Sequence, residues 1–216
     1  MGCLHPELVF DAESHSYHLN GEKLPGVTSI LKPLSSYDDI PARILAEAAA
    51  RGTAVHLTTE LEDLGTLDYA SLDDELTGYL MGYQRFKEVM RPEFVNVEQI
   101  TYHKVLKYAG TPDRELILHG KPRAKLAILD LKSCVTMMPS TGPQTAAYRE
   151  AVNSHRPNKK DHAIERYGLR LGRDGTFELI PYTGESDWHD FLACLRMLRF
   201  RNQHHRFYKQ LADEQR

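Results

Sequence analysis

The stretch LAILDLKSC, residues 126–134, places an acid and a base inside a run of aliphatic side chains. Successive side chains of a β-strand point to opposite faces, so Asp130 and Lys132 share one face, about 6–7 Å apart. Leu129 and Leu131 share the other face. Burying unpaired charge is costly, and a structural ion pair compensates for that cost only in part. The stretch therefore predicts a buried strand that carries either a salt bridge or an active site.

The other elements follow from hydrophobic period and from turn and cap residues. They are two short strands within residues 8–19 before a tight Asn20-Gly21 turn, helices over 41–65 and 73–90, three strands within 95–134, a helix over 142–155, two strands on either side of a turn at 172–175, and a long C-terminal helix capped by Ser186. Gly52 is a candidate break in the first long helix, because glycine costs about 1 kcal/mol in a helix interior. This order predicts an α/β fold in which helices flank a central mixed β-sheet, with an N-terminal β-hairpin and a long C-terminal helix.

Size and composition restrict the class of protein. A chain of 216 residues suits one domain, spanning 1–216. No window holds the roughly 20 uninterrupted apolar residues of a membrane span, and the N-terminal segment lacks the apolar run of a signal peptide. The 3 cysteines are too few for a disulfide framework or a four-cysteine iron–sulfur cluster. We therefore expect a soluble, intracellular protein with no membrane partner and no iron–sulfur cluster.

Charge is distributed unevenly along the chain. Residues 1–100 hold 7 Lys+Arg against 17 Asp+Glu, whereas residues 101–216 hold 20 against 13, and the whole chain has a net charge of -3. The net charge argues against a protein that coats nucleic acid without specificity, but the asymmetry permits a basic binding surface in the second half. A chance gradient along solvated faces is the alternative.

Two further segments carry polar groups of chemical interest. The helix predicted over 41–65 has Gly52, His56 and Glu60 at intervals of four, which places them close to one face. Asp113 lies in a turn that leads into an apolar strand. Each has an ordinary alternative, since most such histidines are packed or surface residues and most such aspartates serve the turn alone.

These segments together hold the parts of a metal-dependent hydrolytic site. Asp113 and Asp130 supply carboxylate oxygens, the ligands that Mg²⁺ and Mn²⁺ prefer, and the backbone carbonyl of Leu131 would add a third oxygen. Lys132 would orient or deprotonate the attacking water, or neutralise charge on a phosphate. The pattern indicates hydrolysis of a phosphate ester, with a plain Asp130–Lys132 salt bridge in a metal-free structural protein as the competing interpretation.

A fourth motif connects these parts to a known family. Gln144 and Tyr148 are four residues apart on a predicted helix, after the strand that carries Lys132. Read in order, G(x3)H, G(x2)D, DxK and Q(x3)Y resemble the motif series of the PD-(D/E)XK nuclease superfamily, in its RecB-like branch with phage-type and RecE-like recombination exonucleases. The segment FDAESHSYHLNGEKLPGVTSIL is similar to the N-terminal hairpin and VTxIL segment of phage-encoded members. The resemblance implies a restriction-endonuclease-like core.

The resemblance also implies roles at the matching positions. His56 would be the helical histidine near the metal, Asp113 and Asp130 the metal-binding and catalytic acids, Lys132 the catalytic lysine, Gln144 and Tyr148 the helix that contacts the DNA backbone, and Arg114 a phosphate-binding or structural residue. Glu60 has no firm counterpart and is either an acid behind the metal ligands or a solvated helix residue. The separation of 17 positions between Asp113 and Asp130 departs from the family and predicts a lengthened hairpin at 119–125, as an extra DNA-contacting loop or simply a loop.

By resemblance, the chain is expected to be a Mg²⁺- or Mn²⁺-dependent DNA exonuclease. It would hydrolyse the ends of linear DNA in phage-type recombination or DNA repair, in the cytoplasm of a bacterial host cell, with a single-strand annealing protein as partner and a ring-shaped homo-oligomer as its assembly. Basic residues of the second half would follow the DNA backbone: Arg149, Lys159, Lys160 and the arginines of the C-terminal helix. The alternatives are a structure-specific endonuclease and a non-catalytic DNA-binding or inhibitory module on a nuclease-like scaffold.

Overall fold

A computed structural model describes residues 5–35, 40–156 and 163–210, except 206 and 208. The strands are β1 (Leu8–Asp11), β2 (Ser16–Leu19), β3 (Glu22–Leu24), β4 (Pro92–Val97), β5 (Thr101–Tyr102), β6 (Ala109–Gly110), β7 (Arg114–Leu118), β8 (Leu126–Lys132), β9 (Glu165–Leu171) and β10 (Phe177–Pro181). The α-helices are α1 (Val27–Ile30), α2 (Ala42–Leu64), α3 (Asp74–Met90), α4 (Thr141–Asn153) and α5 (Ser186–Gln203), with short 3₁₀ turns at Lys32–Leu34 and Tyr69–Ser71. No helix in this part of the chain is long and apolar enough to cross a bilayer.

The central sheet is mixed, as the sequence predicts. Its strand order is β10-β9-β8-β7-β4. Strands β8 and β9 are parallel and are connected through α4, whereas the other neighbours are antiparallel. Before it, β1, β2 and β3 form a separate antiparallel sheet, and the β2–β3 turn places Asn20 and Gly21 at φ 51° and 83°. Positive φ at both residues is the geometry that an Asn-Gly hairpin turn favours.

Successive side chains of β8 point to opposite faces of the sheet and enter two separate core layers. Leu129 and Leu131 are buried in the cluster that α2 and α3 form on one face of the sheet, with Val55 and Phe86 among its members. Ile128 belongs to the cluster on the other face, which α1, α4 and α5 complete. Asp130 and Lys132, two and four residues after Ile128, therefore lie on the α4 face, as the period of two requires.

Three details differ from the sequence prediction. Helix α2 runs without a break through Gly52, because the surrounding alanine-rich sequence has strong helix propensity. Ser186 is the first residue of α5, and Glu185 holds the cap position without a side-chain hydrogen bond. The two segments expected to form one strand each, 95–105 and 107–118, instead divide into β4 and β5 and into β6 and β7, and among the described residues β5 pairs with β6 alone. The last residues assigned to the C-terminal helix, 211–216, lie outside the described residues.

A buried guanidinium connects α2 to the sheet. Arg114 has 0% of its side chain exposed and donates from Nε to Asp63 Oδ2 at 2.8 Å. Its Nη1 donates to the carbonyl of Asp113 at 2.7 Å and to Glu98 Oε1 at 3.2 Å, and its Nη2 donates to Thr59 Oγ1 at 3.3 Å. Asp63 also accepts from the hydroxyl of Tyr83 on α3 at 2.5 Å. The cluster holds both helices against the edge where β7 begins.

We expect Asp63→Ala to destabilise the fold strongly. Removing one partner of a buried ion pair leaves an uncompensated charge and costs about 3–5 kcal/mol. Glu47→Ala is the matched control, because the Arg43–Glu47 pair at 2.6 Å is 76% and 54% exposed and exposed pairs contribute about 0–1 kcal/mol. Urea denaturation gives the free energy of unfolding of each variant. Equal losses in the two variants would contradict the importance assigned to the Arg114 cluster.

Candidate functional site

The sheet brings the two predicted acids together at one edge. Asp113 directly precedes β7, and Arg114 pairs with Leu129, so Asp113 lies beside the end of β8. The backbone N–H of Leu131 donates to Asp113 Oδ2 at 2.6 Å. The separation of 17 positions between Asp113 and Asp130 does not disturb this geometry, because the extra residues form the turn at the opposite end of the β7–β8 hairpin. That turn lies away from the site, which favours the simple-loop interpretation.

His56 of α2 lies over the same edge. Its Nε2 is 3.0 Å from the carbonyl oxygen of Leu131, and its Nδ1 is 3.5 Å from Asp113 Oδ1 and 3.8 Å from Glu98 Oε1. With a proton on Nε2, the ring donates to Leu131 and presents Nδ1 to the two carboxylates. The Leu131 carbonyl, predicted as a metal ligand, is thus a hydrogen-bond partner of His56 in this structure.

Glu98 is a member of the site that sequence reasoning missed. It follows β4 with φ 46°, and its N–H donates to the carbonyl of Asp113 at 3.0 Å. Among the described residues, His56, Glu98 and Asp113 form a group whose ligand atoms lie within 4.8 Å of one another. One imidazole nitrogen and two carboxylates suit a divalent cation such as Mn²⁺ or Mg²⁺. The signal in the sequence was an acid in the middle of a segment that otherwise predicts one strand.

The charges of this group are strongly coupled. Burial opposes ionisation of Asp113, but the imidazolium of His56, the ammonium of Lys132 and the Leu131 N–H hold its pKa at about 2. The carboxylate of Asp113 is the main reason that the pKa of His56 is raised to about 10. Burial raises the pKa of Glu98. Without a metal, the proton on His56 therefore balances negative charge at neutral pH.

Asp130 and Lys132 form the ion pair that their spacing allows, and they do so inside the site. Asp130 is fully buried, and Lys132 Nζ lies 2.5 Å from its Oδ2 with 25% of the lysine side chain exposed. Oδ2 nevertheless accepts no well-directed hydrogen bond from the described residues. Oδ1 accepts from Gln144 Nε2 at 2.8 Å. Burial is the main cause of the raised pKa of Asp130, with the charge of Asp113 adding to it.

Helix α4, which carries Gln144 and Tyr148, contacts Asp130 through Gln144 and packs on Gly110 through Tyr148. Gln144 Nε2 donates to the hydroxyl of Tyr148 at 3.3 Å, so the two side chains share the face of α4 that points at β8. A Cβ at Gly110 would lie 2.6 Å from Cε1 of the Tyr148 ring, so only glycine permits this approach. The G(x2)D motif therefore has a packing reason for its glycine.

Two clefts meet at these residues. The hairpin cleft, about 950 Å³, lies between α2 and the β1–β2 hairpin, and the basic cleft, about 430 Å³, lies between α2 and the residues that follow β8. Both are lined by Thr28, Gly52, His56, Lys132 and Gln144. The site is therefore reached from two sides, and Lys132 is accessible from each.

The basic cleft contains cations that the sequence did not single out. Lys32 and Arg51 line it, together with the hydroxyl-bearing Ser133 and Ser140. Arg51 Nε is buried without a hydrogen-bond partner among the described residues. Of the described residues that line this cleft, none is an acid. Its donors suit an anionic group.

Several predicted substrate contacts fall elsewhere. Arg114 is fully buried and its donors are used by Asp63, Glu98 and the Asp113 carbonyl, which favours the structural role over the phosphate-binding role. Arg149 pairs with Glu150 at 2.9 Å and lines neither cleft.

The remaining predictions concern Glu60, the arginines of α5 and two lysines. Glu60 lines the hairpin cleft, outside the group of three ligand residues. Helix α5 packs against α4 and α1, and Arg199 donates to the carbonyl of Leu106. Lys159 and Lys160 lie outside the described residues.

No protein-family model matches this sequence, and no curated protein is significantly similar to it. The nuclease resemblance therefore depends on the four motifs and on the geometry described above.

We expect Mn²⁺ binding to release a proton. A metal-bound imidazole must be neutral, and the pKa of about 10 keeps His56 protonated in the metal-free protein, so the affinity should rise by up to about tenfold per pH unit between pH 6 and 9. Isothermal calorimetry in buffers of different ionisation enthalpy measures both effects.

Substitutions of the two glutamates in the hairpin cleft test whether Glu98 binds the metal. Glu98→Gln should weaken Mn²⁺ binding on the order of tenfold or more, whereas Glu60→Gln, the matched control in the same cleft, should leave it unchanged. Unaltered binding by Glu98→Gln would remove Glu98 from the site.

Proposed function

We propose that this chain is a metal-dependent deoxyribonuclease with a restriction-endonuclease-like core, acting as an exonuclease on the ends of linear DNA. The observation that carries the proposal is the meeting of Asp113, Asp130 and Lys132 with Gln144 and Tyr148 at one edge of the sheet. A salt bridge needs only two of these residues. Two buried acids beside a partly exposed lysine, in an open cleft, suit hydrolysis of a phosphodiester.

The metal would be held by His56, Glu98 and Asp113, with the buried Asp130 close by. When bound, Mg²⁺ or Mn²⁺ polarises the scissile phosphate and lowers the pKa of a water ligand. Oxygen-rich ligand sets that include one imidazole fit both ions.

Lys132 would act as a charged donor. Burial disfavours its ammonium form, but the carboxylates of Asp130 and Asp113 outweigh burial and raise its pKa. An ammonium at neutral pH stabilises negative charge that develops on the phosphate, which is the electrostatic form of catalysis. Of the roles that the sequence allows for this lysine, charge neutralisation and water orientation are therefore favoured over proton abstraction.

DNA as the substrate is supported by the basic cleft. Lys32, Arg51 and two serine hydroxyls offer donors to backbone phosphates directly beside Lys132. Recombination or repair, a phage origin, a single-strand annealing partner, a ring-shaped oligomer and the bacterial cytoplasm follow from the motif resemblance alone.

Nuclease assays with lysine variants test the proposal. Wild-type protein should release nucleotides from linear DNA with Mg²⁺ but not with EDTA, and Lys132→Ala should lower the rate on the order of 10²–10³-fold. Lys125→Ala is the matched control, because Lys125 precedes β8 at its far end and is exposed. Activity in EDTA, or full activity of Lys132→Ala, would refute the mechanism. Cleavage of closed circles would make the enzyme an endonuclease.

A substitution at Gly52 tests whether bound DNA passes the junction of the two clefts. Its Cβ would meet only Ser133 Oγ at 3.9 Å, so no protein packing requires glycine there. Gly52→Ala should stabilise α2 by about 1 kcal/mol and raise the KM for DNA several-fold, because the methyl group narrows the junction of the two clefts.

Thermal denaturation and steady-state kinetics separate these two effects. Ala50→Gly, which lines neither cleft, should lose similar stability without a change in KM. A more stable Gly52→Ala with unchanged KM would show that DNA does not pass this point.

A further inference from the structure

The hairpin cleft has an aromatic wall that the hydrolytic chemistry does not use. Phe10, His15 and Tyr17 of the β1–β2 hairpin line the cleft on the side opposite α2. The Phe10 and Tyr17 rings lie 4.8 Å apart with an interplanar angle of 40°, and the Phe10 and His15 rings lie 5.1 Å apart edge to face. Phe10 is half-buried and His15 is exposed, so part of each ring remains accessible.

This wall is fixed relative to the catalytic edge. The Tyr17 hydroxyl and Thr111 Oγ1 form a hydrogen bond of 2.9 Å, and Thr111 is two residues before Asp113. The Tyr17 ring also packs on Gly26, where a Cβ would lie 3.2 Å from the ring. Tyr17 itself is buried. The aromatic side chains therefore keep a constant distance from the group that contains Asp113.

The facing wall, on α2, has small side chains at one end, and His56, Leu57 and Glu60 follow them along the helix. Ala49, Gly52 and Thr53 of α2 line the cleft opposite the aromatic rings, and Lys132 and Tyr148 lie at its base. The small residues opposite the aromatic wall leave room for a flat ring at that end of the cleft. Its volume of about 950 Å³ is large enough for a nucleotide.

The two clefts differ in the charge of their lining residues, and this difference indicates where each part of a DNA strand would lie. Glu60 lines the hairpin cleft outside the proposed metal ligands, and its carboxylate repels phosphate. Lys32 and Arg51 line the basic cleft, where phosphate is attracted. A strand that crosses Lys132 would place its phosphates toward the basic cleft and a base in the hairpin cleft.

We propose that the hairpin cleft binds an unpaired DNA base, stacked on Phe10 with His15 beside it, next to the phosphate at Lys132. The inference depends on the proposed function and defines its substrate class as single-stranded DNA, either a free strand or a frayed end. A base in a duplex is stacked between its neighbours and is not available to side chains, whereas an unpaired base offers its π-face.

Equilibrium binding in EDTA, where no hydrolysis occurs, tests whether a base stacks on the aromatic wall, which we call the platform. Fluorescence anisotropy would compare an oligonucleotide, the same length of abasic strand and a blunt duplex. Wild type should prefer the single strand, and Phe10→Ala should weaken its binding on the order of tenfold, the usual effect of removing one stacking side chain. On the abasic strand, wild type and Phe10→Ala should bind equally, and Phe10→Trp should restore binding to the normal strand.

Two variants control for structural effects. Val9→Ala alters the neighbouring residue on the other face of β1, which is 58% exposed, and should change nothing. Phe10→Leu keeps apolar packing in the hairpin while removing the ring, so it replaces Phe10→Ala if that variant does not fold, and it should also lose binding only on strands that have bases.

Three results would overturn the platform. They are equal losses on normal and abasic strands, wild-type affinity of Phe10→Leu for the normal strand, and a wild-type preference for duplex. The proposed function fails separately, through absence of metal-dependent hydrolysis by wild type. Base-dependent binding without hydrolysis would retain the platform and reject the nuclease.

Discussion

The buried guanidinium of Arg114 determines where the edge that carries Asp113 and His56 can form. A fully buried cation must be paired, and its partners come from three places: Asp63 on α2, Glu98 after β4 and the Asp113 carbonyl. His56 and Asp63 are seven residues apart on α2, so they share a face. Pairing Asp63 with Arg114 therefore also places His56 above Asp113. Arg114, expected to be a phosphate-binding or structural residue, thus supports the site through its buried hydrogen bonds.

Each acid of the site is balanced by a cationic group. Glu98, Asp113 and Asp130 lie beside His56, Lys132 and Arg114, and Arg114 also pairs with Asp63. This balance explains how buried carboxylates can persist in a stable fold, since each has a charged partner. A divalent cation would displace the proton on Nδ1 of His56. The metal and this proton therefore compete for the same nitrogen.

The two clefts differ in the chemistry of their walls. The basic cleft offers donors and no acid among its described lining residues, whereas the hairpin cleft combines aromatic rings with carboxylates. Lys132 and Gly52 belong to both. Under the proposed function, a DNA strand at Lys132 would have a surface for phosphate on one side and a surface for a base on the other.

Local patterns in the sequence determined the order of elements, the Asn20-Gly21 turn and the common face of Asp130 and Lys132, because these depend on periods of two and 3.6 residues and on the φ preferences of single residues. Only the tertiary structure decided that Glu98 joins the site and that Arg114 is buried. Those positions depend on a positive φ after β4 and on the docking of α2 across the sheet. Such long-range pairings follow from the packing of whole elements, which no local period encodes.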